Sequence, residues 1–129
     1  MSQEKDGIKA FFFDTYALYE IALGGENYKG YRSGISIITT LMNLYELYYR
    51  LMQDNFIAES EIFFQKFLPD CVEIKSDAIK EAATFRLQNK KLGLSYIDAL
   101  GYAIAKKHNA KFLTGDEAFR KAPNVEFVK

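Results

Sequence analysis

Ile8-Lys9-Ala10-Phe11-Phe12-Phe13-Asp14-Thr15 is a short, aromatic, apolar run that ends on a carboxylate. Its length and composition read as a buried strand. Thr15 to Leu23 then carries Ala17, Leu18, Ile21 and Ala22 at helical spacing, and Gly24-Gly25 stops the helix. A buried strand running straight into a helix, with an acid at the junction, sets the pattern for the rest of the chain.

Residues 26–33 are polar with two tyrosines and read as a loop or short helix. Gly34-Ile35-Ser36-Ile37-Ile38-Thr39 is a second buried strand. Thr40 to Asn55 is a helix with Leu41, Leu44, Leu47, Tyr48 and Leu51 in one stripe. A further helix, about 58–67, places Ile62, Phe63 and Phe67 inward before Pro69 ends it. Cys71-Val72-Glu73-Ile74 is a short third strand. Ser76 is the expected N-cap of a helix running to Asn89, with Ile79, Ala82, Ala83 and Leu87 inward. Ser95 to Lys107 forms another helix with Ile97, Leu100, Gly101, Ile104 and Ala105 on one face. Lys111 to Leu113 is the fourth strand and Val125 to Val128 the last. Strands alternating with helices predict a three-layer α/β/α domain over 1–129, with a mostly parallel central sheet and right-handed crossovers.

Composition narrows the chemistry. Of 129 residues, 49% are apolar and 26% charged, which is globular and long enough for one core. Lys plus Arg and Asp plus Glu both number 17, so attraction to a polyanion must come from local patches. Cys71 is the only cysteine, which rules out an internal disulfide and suits a reducing cytoplasm. The mixed-charge start Met1-Ser2-Gln3-Glu4-Lys5-Asp6-Gly7 has no apolar signal region, and no run approaches the ~20 apolar residues of a membrane span. The expectation is a soluble cytoplasmic protein.

In open parallel sheets, sites lie beyond the carboxyl ends of the strands. Asp14 ends the first strand and Asp116 lies just past the fourth. Asp98 is in the first turn of the helix before it, and Glu46 lies about two turns into the helix after the second. Each has a bland explanation. Asp14 and Asp116 suit helix caps, Asp98 completes a capping box with Ser95, and Glu46 can pair with Arg50 one turn on. Together they are harder to dismiss, because four carboxylates converging on one rim need protons or cations. A hard cation such as Mg²⁺ or Mn²⁺ suits oxygen ligands. With one histidine (His108, at a helix end) and one cysteine, a zinc site or a nucleophilic triad lacks its parts.

These residues resemble a family, the PIN-domain nucleases, and most nearly the VapC-type toxins of prokaryotic toxin–antitoxin pairs. The likeness rests on Phe12-Phe13-Asp14-Thr15, on Asn43-Leu44-Tyr45-Glu46-Leu47 and on Leu94-Ser95-Tyr96-Ile97-Asp98-Ala99-Leu100. It continues through Ala103 to Phe112-Leu113-Thr114-Gly115-Asp116 and Phe119, so it spans about Lys9 to Val128. The resemblance implies Mg²⁺- or Mn²⁺-dependent cleavage of single-stranded or structured RNA. It implies Asp14, Glu46, Asp98 and Asp116 as catalytic metal ligands, Thr15 and Thr114 as supporting hydroxyls, a homodimer, and an antitoxin partner. The Ser36–Glu46 spacing is slightly longer than usual in the family, which makes Glu46 the weakest match. The Ala10–Phe13 strand is bulkier than the family's aliphatic one.

RNA has to be held against the acids' own field. Lys29, Arg32, Arg86, Lys90, Lys91, Lys106, Lys107, Arg120 and Lys121 are the candidate contacts, and any one of them reads equally as solvated surface. Two alternatives share the fold: a non-catalytic PIN-like module that binds RNA or protein, and a housekeeping RNA-processing nuclease. A phosphoacceptor signalling domain fits poorly, because the second strand offers no aspartate to accept phosphate.

Overall fold

The computed structural model describes residues 9–129. Ile8, the expected first residue of the opening strand, and the mixed-charge segment before it lie outside the described residues. Strand β1 (Lys9–Phe13) is buried from Ala10 onward and leads directly into α1 (Thr15–Ala22). A 3-10 helix over Glu26–Tyr31 connects to β2 (Ile35–Ile38). Then come α2 (Leu41–Gln53), α3 (Ile57–Phe67), α4 (Ser76–Gln88) and α5 (Tyr96–Lys107), followed by β3 (Lys111–Thr114) and β4 (Val125–Phe127).

All pairings are parallel, in the order β2-β1-β3-β4. Successive side chains of a strand point to opposite faces, so β1 feeds two cores. Phe11 and Phe13 join Leu18, Leu44, Leu47, Leu51, Phe67 and Leu113 beneath α1, α2 and α3. Phe12 faces the other way, into Tyr102, Ile104, Phe112 and Phe119 beneath α4 and α5. The three consecutive phenylalanines are therefore the signature of a strand covered on both faces, as a parallel sheet requires. Phe12 and Phe112 are cross-strand partners whose rings stack at 5.7 Å. The three-layer α/β arrangement is as the sequence implies, and the sheet is wholly parallel among the described strands.

Several local readings need correction. The expected third strand, Cys71–Ile74, makes only one parallel bridge, Thr39 to Cys71. A 3-10 turn containing Pro69 precedes it and α4 starts soon after, which leaves no length for a ladder. The strand before Asp116 is consequently the third and not the fourth. β2 is half-buried because it is a sheet edge. Ser76 is not a cap: α4 begins at Ser76 itself, after Lys75, with no side-chain capping bond.

The inward face of α4 was also misassigned by its periodicity. Ala82 is inward as expected, but Ile79, Ala83 and Leu87 are exposed, and Ala78 and Phe85 complete the core face. Small residues win there because Ala82 meets Ala99 and Ala103 of α5, so the two helices pack closely. Leu41 and Ile62 likewise point to solvent, whereas Leu44, Leu47, Leu51 and Phe67 form the buried stripes of α2 and α3.

Helix α5 can lie close on the sheet because Gly101 has no side chain. A Cβ there would sit 2.7 Å from Phe12 Cε1 and 3.2 Å from Phe112 Cε1. Gly101→Ala should therefore lose stability, although alanine is the better helix former by about 1 kcal/mol. Overpacking of about 1–3 kcal/mol should outweigh that gain and lower the urea midpoint. An unchanged or higher midpoint would show that the two rings give way freely.

Candidate active site

The strand order fixes where a site can form. From β1 the chain moves outward to β2 on one side, and from β3 it moves outward to β4 on the other. Such a reversal opens a crevice at the carboxyl ends of the two central strands. Asp14 follows β1 directly, and its backbone N–H extends the ladder to Leu113 O at 3.3 Å. Asp116 lies two residues beyond Thr114, the end of β3.

A cleft of about 450 Å³ opens there, lined by Asp14, Glu46, Asp98 and Asp116 with Thr15, Tyr16, Arg50, Ser95, Glu117 and Lys129. The helices deliver two of the acids: Asp98 from the first turn of α5 and Glu46 from the middle of α2. The capping alternatives are also real. Asp14 Oδ1 accepts from Ala17 N at 2.8 Å, and Asp116 Oδ1 accepts from Ala118 N at 3.0 Å. Ser95 and Asp98 form a reciprocal capping box, both bonds 3.0 Å long. Capping aims these three carboxylates; it does not remove them from the cleft. The Glu46–Arg50 ion pair, by contrast, is not formed.

Asp14 is 3% exposed. Burial pushes its carboxyl up to about 8, opposed by the Thr114 hydroxyl and the Ala17 N–H, with Asp98 and Asp116 raising it further. The Asp98 carboxyl is raised as well, first by burial, then by Asp116 and Glu46, against the Ser95 bonds that lower it. The acids thus feel one another's charge, and among the described residues none of the four makes an ion pair. Lys129, the nearby ammonium, is bound to Glu117 at 2.9 Å.

Among the described residues, no group of three or more His, Cys, Asp or Glu side chains is arranged to hold a metal ion. The four acids share a cleft but do not converge on a point. Capping bonds hold three of them, and two carboxylates ~4 Å apart repel by about 4 kcal/mol at an effective dielectric of ~20. Their chemistry nevertheless fits a hard divalent cation: all the donors are oxygens, partly buried, and none is in an ion pair among the described residues. His108 lies elsewhere, beside Val72 and Lys107, and burial raises the Cys71 thiol to about 11.

Beneath the acids runs a buried polar ladder. Thr39 Oγ1 donates to Phe13 O (2.9 Å), Thr40 Oγ1 to Asn43 Oδ1 (2.6 Å), and Asn43 Nδ2 to Thr15 Oγ1 (3.3 Å). Thr114 Oγ1 accepts from Asp116 N at 3.0 Å and hydrogen-bonds Asp14, so one hydroxyl ties the two strand-end acids together. Gly115 between them allows close packing, since a Cβ would lie 2.2 Å from Tyr16 Cε1 and 2.5 Å from Val128 O. From the sequence, Thr39, Thr40 and Asn43 carry no functional signal, Arg50 reads only as a partner for Glu46, and Lys129 gives no sign of its place in the cleft. The only local signal was Thr40 three residues before Asn43, which spells an ordinary N-cap.

The fold and cleft define a class: a three-layer α/β protein whose carboxylates gather at the switch point of a parallel sheet. Residues 11–125 match the family model of the PIN domain, and the chain belongs to that family. Among solved structures it is similar to VapC20 of Mycobacterium tuberculosis, described as a toxin that cleaves the Sarcin-Ricin loop. That match has a TM-score of 0.76 and 15% identity, over 92% of this chain and 99% of that one. A toxin–antitoxin complex from Klebsiella pneumoniae matches with a TM-score of 0.69 and 19% identity, over 89% and 94%. VapBC2 of Rickettsia felis, bound to a promoter DNA fragment, matches with a TM-score of 0.69 and 18% identity, over 93% and 98%. No curated protein matches the chain. At these identities the structural likeness shows a common fold.

The raised Asp14 carboxyl has a measurable consequence. Its carboxyl is raised from 3.8 to about 8, so between those values the folded state holds a proton that the unfolded state has lost. Metal-free stability should therefore fall as pH rises from about 4 to about 8. Asp14→Asn keeps a good N-cap and removes the charge. In EDTA its Tm should exceed the wild type's at pH 8 and approach it at pH 5, each kcal/mol being worth about 4 °C in a chain of this size. A difference independent of pH would contradict the assignment. Separately, Thr114→Val should weaken Mn²⁺ binding by about 10-fold or more, as loss of an outer-sphere partner does, while Thr114→Ser preserves it. Equal Mn²⁺ affinity in the valine variant would remove Thr114 from the site.

Proposed function

We propose that the chain is a single-unit, divalent-metal-dependent endoribonuclease acting in the cytoplasm, the toxin of a type II toxin–antitoxin pair. One observation carries the reading: four carboxylates of a PIN-domain chain line one cleft at the sheet's switch point, and none is tied up in an ion pair among the described residues. Asp14, Glu46, Asp98 and Asp116 are the residues that would hold Mg²⁺ or Mn²⁺. When bound, such an ion supplies an activated water and neutralises charge on the phosphate. Thr114 orients Asp14 against Asp116, and the ladder from Thr40 through Asn43 to Thr15 fixes the floor below them. Arg50, on the cleft wall, offsets part of the negative field that an incoming phosphate meets.

The toxin assignment is supported by the structural neighbours, which include a toxin–antitoxin complex and a toxin described as cleaving the Sarcin-Ricin loop. Exposed Leu41, Tyr45, Tyr49, Ile57 and Ile62 offer apolar surface for an antitoxin segment or a second protomer. No helix among the described residues is long and apolar enough to cross a membrane. A second reading, a PIN-like module that binds RNA without cutting it, draws on the spread of the acids, no three of which are arranged around one point.

Purified protein incubated with an RNA panel in Mn²⁺ separates the two. Cleavage is expected, and EDTA or Asp14→Asn should reduce it by more than about 100-fold, beyond what loss of an outer-sphere partner costs. RNA that is bound but never cut would favour the binding module. Cleavage undiminished by both treatments would reject the carboxylate–metal site.

A further inference from the structure

Tyr96 is 77% exposed, yet its ring is held in place. The Arg86 guanidinium lies over it, 4.1 Å from the ring centroid. Arg86 is itself fixed, with Nε donating to Leu94 O at 2.8 Å. One face of the ring is thus braced by a planar cation tied to the backbone, and its high exposure leaves the other face to solvent. Tyr96 neighbours the acidic cleft along the chain: it opens α5 directly after Ser95 and two residues before Asp98, both of which line that cleft. The segment leading to it carries Lys90 and Lys91, exposed and without an ion pair among the described residues.

A fixed aromatic face beside a carboxylate site, with lysines alongside, has the parts of a single-strand docking edge. Bases stack on such faces whatever their identity, while cations track the backbone. Bases inside a duplex are already stacked and paired, so they cannot use it. Resting on the nuclease reading, we infer that Tyr96, braced by Arg86, stacks an unpaired nucleobase next to the phosphate in the cleft. Lys90 and Lys91 take flanking phosphates of the same strand.

The chain has no tryptophan, so Tyr96→Trp gives one reporter that keeps a stacking ring. In Ca²⁺, with RNA integrity checked on a gel, a single-stranded oligonucleotide should quench its fluorescence saturably. An abasic oligomer of equal length and an RNA duplex should not. Tyr96→Ala should raise Kd, and KM for cleavage in Mn²⁺, by about 5- to 100-fold with kcat little changed, whereas Tyr96→Phe stays near wild type. Wild-type Kd and KM in Tyr96→Ala, or equal quenching by the abasic oligomer, overturns the inference while leaving the nuclease reading intact. Tyr96-dependent binding with no cleavage in Mn²⁺ overturns the nuclease reading alone. Neither binding nor cleavage by folded protein overturns both.

Discussion

The parallel pairing of β1 with β3 is the contact on which the rest of the structure depends. Phe12 pairs with Phe112 and Phe13 with Leu113, and the ladder continues for one more bond, from Asp14 N to Leu113 O. That last bond brings Asp14 alongside Thr114, at the point where the sheet's connections diverge. A carboxylate is then committed to a buried position with no cationic partner among the described residues. Its cost is offset by hydrogen bonds from the Thr114 hydroxyl and the Ala17 N–H, and burial still prevails, raising the group to about 8. Burial therefore keeps the group protonated until about pH 8, and above that the metal-free fold carries a buried charge at a cost to its stability.

The surrounding helices serve the same junction. Gly101 lets α5 settle on the Phe12–Phe112 pair, which brings the capping box and Asp98 to the cleft. α2 begins where Thr39 and Thr40 end the β2 arm, and its first turn sends Asn43 to Thr15 beneath Asp14. Three of the acids cap helical turns and face one cavity at once. Each capping bond uses one carboxylate oxygen, and Asp14 takes a further bond from the Thr114 hydroxyl. Structural and functional readings of these residues are therefore not rivals, since a cap is a means of aiming a carboxylate.

Much of this was legible in the chain. Three phenylalanines followed by an acid announce a covered strand and its end, and Lys111–Asp116 repeats the device, so the sheet and the rim followed from pattern. The failures have physical causes. Cys71–Ile74 has strand-like composition but too little free length between Pro69 and α4. On α4, Ile79 and Leu87 lie two turns apart on one exposed face, turned away from Ala78 and Ala82. Hydrophobicity favours the former, but close approach to Ala99 and Ala103 selects the latter, and pattern alone does not carry helix separation. The polar ladder stayed hidden because Thr40 and Asn43 look like routine capping until Thr15 is folded against them. In the sequence Tyr96 gives no sign of its place, because its distinguishing contact comes from Arg86, ten residues earlier.

The central claim is that the cleft's carboxylates form a site for a hard divalent cation, and calorimetric titration of the metal-free protein with Mn²⁺ at pH 6 and pH 8 tests it most directly. Saturable binding is expected at both, tighter at pH 8, with more proton release at pH 6, where Asp14 must give up its proton to become a ligand. Absence of saturable binding at pH 8 up to millimolar Mn²⁺, in protein shown to be folded, would contradict it.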